Sequence, residues 1–194
     1  SVALGANNTL TIEDVMPALE QVESGDIVLL QLEIPMETVD ACVAVAAAKG
    51  ARVVLNPAPA AVVSEHTLSK LYLITPNQTE AQALTGVEVT DEASAEKAAQ
   101  ALVLLGVERV VITMGSVGAY LYEDGKGILI PACKVSAVDT TAAGDVYNGA
   151  LCAALAEGQS LQDALKFATK ASAISVTRVG AQPSVPTREE VDNF

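Results

Sequence analysis

Two periodicities alternate along this chain. Short continuous apolar runs recur at 27–32 (IVLLQL), 52–55 (RVVL), 71–74 (LYLI) and 110–113 (VVIT). Runs of four to six apolar residues between polar segments predict buried strands. Longer stretches between them carry helical spacing at 36–49, 77–84 and 93–105, the first closed by Gly50 and the third by Gly106. A glycine just past the last periodic residue marks a helix C-terminus. Residues 119–122 and 128–130 predict a hairpin around Asp124-Gly125. Two long helices, 142–156 and 161–176, and a short one from Arg188 finish the chain. Strand–helix alternation with continuous apolar strands predicts an α/β fold, a mostly parallel sheet with helices on both faces. With no linker, low-complexity tract or internal repeat, residues 1–194 read as one α/β domain.

Composition adds exclusions. Hydrophobic residues make up 51% and charged residues 18%, which rules out intrinsic disorder. Aromatics contribute only 3%, so Ala, Val and Leu dominate and closely packed helices are expected. Eleven basic residues face 24 acidic ones, a net charge of −13. That balance argues against nucleic acid and against a polybasic membrane surface. An anionic ligand must then be held by local devices, because the overall field repels it. No apolar run is long enough to span a bilayer, and no secretion signal opens the chain. Ser1 in place of Met reads as a trimmed start or a piece of something longer. Cys42, Cys133 and Cys152 are odd in number and form no C-x-x-C, as expected of buried, reduced thiols in the cytoplasm.

The chemistry concentrates in residues 138–149. There Val138-Asp139-Thr140-Thr141 leads through Ala142-Ala143-Gly144 into Asp145 and a nearly all-apolar helix. Small residues at a helix N-terminus leave backbone N–H groups open, and that end carries roughly half a positive charge, so it can receive a phosphate. Asp145 beside such a site makes sense where a carboxylate takes a proton from a hydroxyl while phosphate charge develops. The plainer alternative is an ordinary helix start with an acidic first turn. Gly149 inside the helix costs roughly 1 kcal/mol relative to Ala, which predicts close packing there. Thr113-Met114-Gly115-Ser116-Val117-Gly118 follows a strand, where open α/β sheets bind ligands, yet it also suits a tight turn. Asn77 and Glu80 have capping-box spacing, and the same amide and carboxylate could organise hydrated Mg²⁺. Thr11/Asp14, Ser160/Asp163 and Thr187/Glu190 read as caps only. The single histidine, His66, sits in a polar stretch and reads as a surface residue. P-loop, dinucleotide, zinc and hydrolase-elbow motifs are absent from the sequence, leaving phosphate chemistry without a P-loop.

The run from Val138 to Gly149 resembles the signature of the ribokinase branch of PfkB-type carbohydrate kinases, with Tyr147 where Phe is usual. Gly5-Ala6-Asn7, Gln31-Leu32-Glu33-Ile34-Pro35, Asn56-Pro57-Ala58-Pro59, Thr75-Pro76-Asn77-Gln78-Thr79-Glu80, Thr113-Met114-Gly115 and the segment Val176-Thr177-Arg178-Val179-Gly180-Ala181-Gln182-Pro183-Ser184 also resemble that branch, in order. The resemblance implies a three-layer ribokinase-like fold and ATP-dependent phosphorylation of D-ribose at its 5-hydroxyl. It implies Asp145 as general base and the N–H groups of Ala142, Ala143 and Gly144 as the anion hole for the transferring phosphoryl group. Asn77 would contact nucleotide phosphate and Glu80 would organise Mg²⁺. Thr113, Gly115, Ser116 and Gly118 would line the nucleotide, with Thr169 near the adenine and Glu33 on the ribose. A monovalent cation, usually K⁺, would take oxygens from Asp139, Thr141, Ser175, Arg178, Gly180 and Ser184.

The family's front strand, its Gly-rich sugar contacts and its dimer-forming β-sheet lid have no counterpart here, so the sequence resembles the C-terminal, nucleotide-binding part of such a kinase. Two alternatives stay open: a non-catalytic ATP- or ADP-binding fragment, and a kinase for another sugar or a nucleoside. Full-length relatives are expected to be homodimers.

Overall fold

A computed structural model describes residues 5–194. In chain order the helices are α1 (Ile12–Glu20), α2 (Met36–Ala48), α3 (Glu65–Leu68), α4 (Gln78–Thr85), α5 (Glu92–Leu104), α6 (Ala143–Ala156), α7 (Leu161–Ser175) and α8 (Arg188–Asp192). The strands are β1 (Ile27–Leu30), β2 (Arg52–Leu55), β3 (Leu73–Ile74), β4 (Val110–Thr113), β5 (Gly118–Glu123) and β6 (Lys126–Pro131). They form one sheet in the order β1-β2-β3-β4-β5-β6. The first four are parallel, with Val28 opposite Val53, Leu55 opposite Ile74 and Ile74 opposite Val110. β5 and β6 are joined by Asp124-Gly125, both at positive φ (52° and 74°), as the expected hairpin requires. The sheet is therefore mixed, and no helix among the described residues is long and apolar enough to cross a membrane.

The described residues fall into two compact units. One runs up to Ile112 and includes Tyr122–Gly127; the other comprises Thr113–Leu121 and Ile128–Phe194. In the first, Val53, Val54, Leu55, Leu73, Ile74, Val110, Val111 and Ile112 are wholly buried. Each such side chain contributes about 1.5–3 kcal/mol relative to exposure. α2 buries Val39, Val43 and Ala46, and α5 buries Ala95, Ala98, Ala99 and Leu102, the helical spacing read from the sequence. At the C-terminal ends of the strands, Asn56 donates to the Thr75 carbonyl (2.9 Å) and accepts from Gln31 (3.3 Å).

In the second unit α6 packs along α7. Leu151, Ala154, Ala164, Leu165 and Ala168 are each fully buried. Alanines at these positions let the two helices approach closely. Val191 of α8 joins Val146, Ala171 and Ile174 in a small core. Arg188 clamps α8 further, pairing with Glu157 and Asp192 and lying 4.7 Å from the Phe167 ring.

Several expectations need correction. A Cβ on Gly149 would meet nothing within 4 Å, so this glycine serves no close packing and lies on an exposed face of α6. α1 was legible only as its cap. Thr11 and Asp14 do form a reciprocal capping box (Thr11 N to Asp14 at 2.9 Å), but Pro17 interrupts the periodicity that marks a helix. α3 is too short to leave a periodic signal. Only Cys42 is a buried thiol; Cys133 and Cys152 are half-buried, and all three are free.

Candidate functional site

The second unit holds a cavity of about 530 Å³, within the range of small-molecule sites. Its wall brings together Thr113, Gly115, Ser116 and Gly118 from the β4–β5 connection, Ala143 and Gly144 from the start of α6, and Thr169 from α7. Each of these is a candidate in the sequence, from separate segments. Ala132, Cys133, Lys134 and Val135 after β6, and Ser172 and Ala173 on α7, also line it and are not among the sequence candidates. These carry no motif; only the fold brings them there.

Local rules explain the shape of the wall. Gly118 has φ +129° and ψ −140°, a region open only to glycine, and a Cβ there would sit 2.0 Å from the Ile130 carbonyl oxygen. This close approach lets Ala132 N–H donate to the Val117 carbonyl (3.2 Å) and Met114 N–H to the Gly118 carbonyl (2.7 Å). The residues between them then fold into a short 3-10 turn, Gly115–Val117.

α6 begins without a side-chain cap. Its N-cap, Ala142, is left-handed (φ 60°, ψ 14°), a conformation costing an L-residue roughly 1–2 kcal/mol. Ala143 N–H donates to the Thr140 carbonyl (3.2 Å), while the N–H groups of Ala142 and Gly144 have no acceptor among the described residues. A left-handed residue followed by helical ones forms a concave nest of N–H groups, an anion-binding geometry. Asp145 is exposed in the first turn. Ser172 holds the helix start from below by donating to the Ala143 carbonyl (3.1 Å).

Asp139 organises the loop ahead of α6. It accepts from Thr141 N–H (2.9 Å), the Thr141 hydroxyl (2.6 Å) and Gly180 N–H (2.9 Å). Those donors hold its carboxyl at a pKa of about 2. Val138 and Asp139 N–H both donate to the Val176 carbonyl (2.7 and 3.2 Å). The loop carrying Arg178 and Gly180 is thereby tied to the signature loop. Arg178 pairs with Glu190 (2.6 Å), Ser184 is fully buried and donates to the Ala181 carbonyl (2.7 Å), and the Ser175 carbonyl accepts from Arg178 N–H (3.0 Å).

Tyr147, one turn into α6, lines the cavity while 5% exposed. Burial pushes its phenol well above the usual range, the Thr169 hydroxyl acting in the opposite direction.

Three named residues belong to the first unit. Glu33 is exposed. Asn77 and Glu80 complete the capping box: Asn77 N–H and Nδ2 each donate to Glu80 (2.8 Å), and Glu80 N–H donates back to Oδ1 (2.9 Å). Glu80 is 7% exposed, and burial raises its pKa against the lowering effect of those bonds. His66 is exposed, 2.6 Å from Lys70 Nζ.

Charge is distributed unevenly. The first unit carries 17 acidic and six basic residues, the second seven and five. The unit with the uncapped helix start is therefore close to neutral, which lowers the repulsion an anion meets there.

The chain is 46% identical over 193 residues to the ribokinase of Haemophilus influenzae, covering 100% of this chain and 63% of that protein. The solved ribokinase of Thermotoga maritima matches with a TM-score of 0.89 and 41% identity, over 100% of this chain and 63% of that one. The structure of Arabidopsis thaliana ribokinase complexed with ribose and ATP matches with a TM-score of 0.90 and 29% identity, at the same coverage. The chain thus has the ribokinase-like α/β fold and spans about 63% of the length of these relatives. The model of the pfkB family carbohydrate kinase matches residues 2–188. By that match, and by relatives aligned along its whole length, the chain belongs to the pfkB family of carbohydrate kinases.

Proposed function

We propose that this chain carries the nucleotide site and general base of a kinase that phosphorylates D-ribose to D-ribose 5-phosphate with ATP. The observation that carries the reading is the uncapped start of α6, where Ala143 and Gly144 line a 530 Å³ cavity, the N–H groups of Ala142 and Gly144 are open, and Asp145 follows in the exposed first turn. The nucleotide occupies the cavity between the Thr113–Gly118 connection and Thr169, and its terminal phosphate meets the open N–H groups of Ala142 and Gly144; the Ala143 N–H, expected to join them, is held by the Thr140 carbonyl (3.2 Å). Asp145 takes the proton of the sugar 5-hydroxyl as its oxygen attacks the γ-phosphorus. The bond to the β–γ bridging oxygen breaks, and ADP leaves. Backbone donors fixed before reaction stabilise the developing charge without reorganisation.

Two ions fit the residues present. Glu80 and Asn77 offer hard oxygens suited to hydrated Mg²⁺, which when bound neutralises phosphate charge. Carbonyl and hydroxyl oxygens dominate around Asp139, Thr141, Ser175, Arg178, Gly180 and Ser184, and no group of three or more His, Cys, Asp or Glu residues could hold a metal among the described residues. That all-oxygen, single-carboxylate set suits a monovalent cation such as K⁺. Glu33 is assigned to the ribose, and the setting to the cytoplasm.

Ribose-dependent ADP release from ATP and Mg²⁺ tests the reading. Asp145→Asn is expected to lower turnover by roughly 10²–10⁴-fold while leaving ATP affinity near normal; near-normal turnover refutes Asp145 as base. ATP binding without ribose-dependent ADP release would make this chain a nucleotide-binding module.

A further inference from the structure

A chain with 24 acidic residues against 11 basic ones places no carboxylate on the wall of this cavity. Among the residues that line it, Lys134 alone is charged. The other basic residues of the unit are engaged or distant. Lys166 pairs with Asp163 (2.9 Å), Arg178 with Glu190 (2.6 Å) and Arg188 with Glu157 and Asp192, while Lys170 does not line the cavity. The Lys134 side chain is exposed and has no hydrogen bond or ion pair among the described residues. Its charge therefore serves no contact within the fold.

The backbone explains why this lysine stands at the wall. Residues 132–138 run from the end of β6 to the signature loop and are pinned at both ends. Ala132 N–H donates to the Val117 carbonyl (3.2 Å), and Val138 N–H donates to the Val176 carbonyl (2.7 Å). The base of Lys134 is held between these bonds, while its four-carbon stem is left mobile. A lysine so placed delivers a compact point charge with three rotatable donors, and it does not need the fixed fork geometry of an arginine. The start of α6 offers the open N–H groups of Ala142 and Gly144, which carry only partial charge. A nucleoside triphosphate brings several full negative charges into a protein whose own net charge is −13. The two backbone donors leave most of that charge unbalanced, and Lys134 is the one full positive charge that the wall supplies.

We propose that Lys134 turns its ammonium into the cavity and binds the phosphate chain of the nucleotide, so that it sets the preference for nucleotide over nucleoside. The proposal rests on the nucleotide reading above and adds a side-chain contact from outside the Val138–Gly149 signature.

Calorimetric Kd values for ATP and for adenosine, at fixed Mg²⁺, test it in the wild-type chain, in Lys134→Met and in Lys134→Arg. In Lys134→Met, which keeps an unbranched stem, the Kd for ATP should rise about 5- to 13-fold, the range from an exposed ion pair to a charge-assisted hydrogen bond. The Kd for adenosine and the melting temperature should stay at their wild-type values. Added salt should weaken ATP binding more steeply in the wild type than in Lys134→Met. Lys134→Arg, which keeps the charge, should bind ATP within about threefold of the wild type. An unchanged Kd for ATP in Lys134→Met overturns this inference and leaves the nucleotide reading intact. Equal weakening of ATP and adenosine also overturns it, because the side chain would then act on the nucleoside or on the wall, and so does a marked fall in melting temperature. A loss in Lys134→Arg as large as in Lys134→Met overturns it too, since charge would not be what binds. Failure of the wild type to bind either ligand overturns the nucleotide reading and this inference together.

Discussion

Replacing Gly115 and Gly118 separately by alanine sets two glycines of one turn against each other. Both have positive φ (+55° and +129°), but their surroundings differ. A methyl group on Gly115 meets nothing within 4 Å, so Gly115→Ala pays only the left-handed conformation, about 1–2 kcal/mol. Restricting the unfolded chain returns about 0.4–1 kcal/mol, for a net loss near 1 kcal/mol. A methyl on Gly118 would lie 2.0 Å from the Ile130 oxygen, 2.8 Å from Ala132 nitrogen and 3.0 Å from the Ile130 carbon. These are backbone atoms of β6 and its exit, which cannot rotate away as a side-chain tip can. Relief requires separating the start of β5 from β6, so Gly118→Ala should lose at least about 4 kcal/mol. Urea unfolding at 25 °C, read as a midpoint change at constant m-value, separates the two variants. Losses within 1 kcal/mol of each other would refute the steric argument, and with it the account of how this cavity wall is shaped.

Gly149→Ala should stabilise the chain by about 0.5–1 kcal/mol, since the added methyl group enters open space on a helical residue; denaturant melts showing a loss would mean that something packs there. Asp139 should contribute stability that depends on pH. Its folded pKa, near 2, lies below the unfolded value of about 3.9, so the contribution is full above pH 4 and disappears as pH falls through 2. The stability gap between wild type and Asp139→Asn should therefore narrow over that window, and a gap constant from pH 6 to pH 2 would contradict the three-donor arrangement.

Sequence patterns alone carried far into this protein. The apolar runs located β1, β2 and β4 because buried parallel strands need continuous hydrophobicity, and Gly50 and Gly106 marked the ends of α2 and α5 because little else tolerates the left-handed cap. The signature from Val138 to Gly149 identified the helix start, since its small residues and its missing cap are themselves local features. What spacing cannot express is approach between distant segments. Only the tertiary structure brought the Thr113–Gly118 connection, the start of α6 and Thr169 to one cavity, and added Cys133 and Lys134, which have no motif. It also separated two glycines that look alike in sequence: Gly149, which needs no space, and Gly118, which has none to spare.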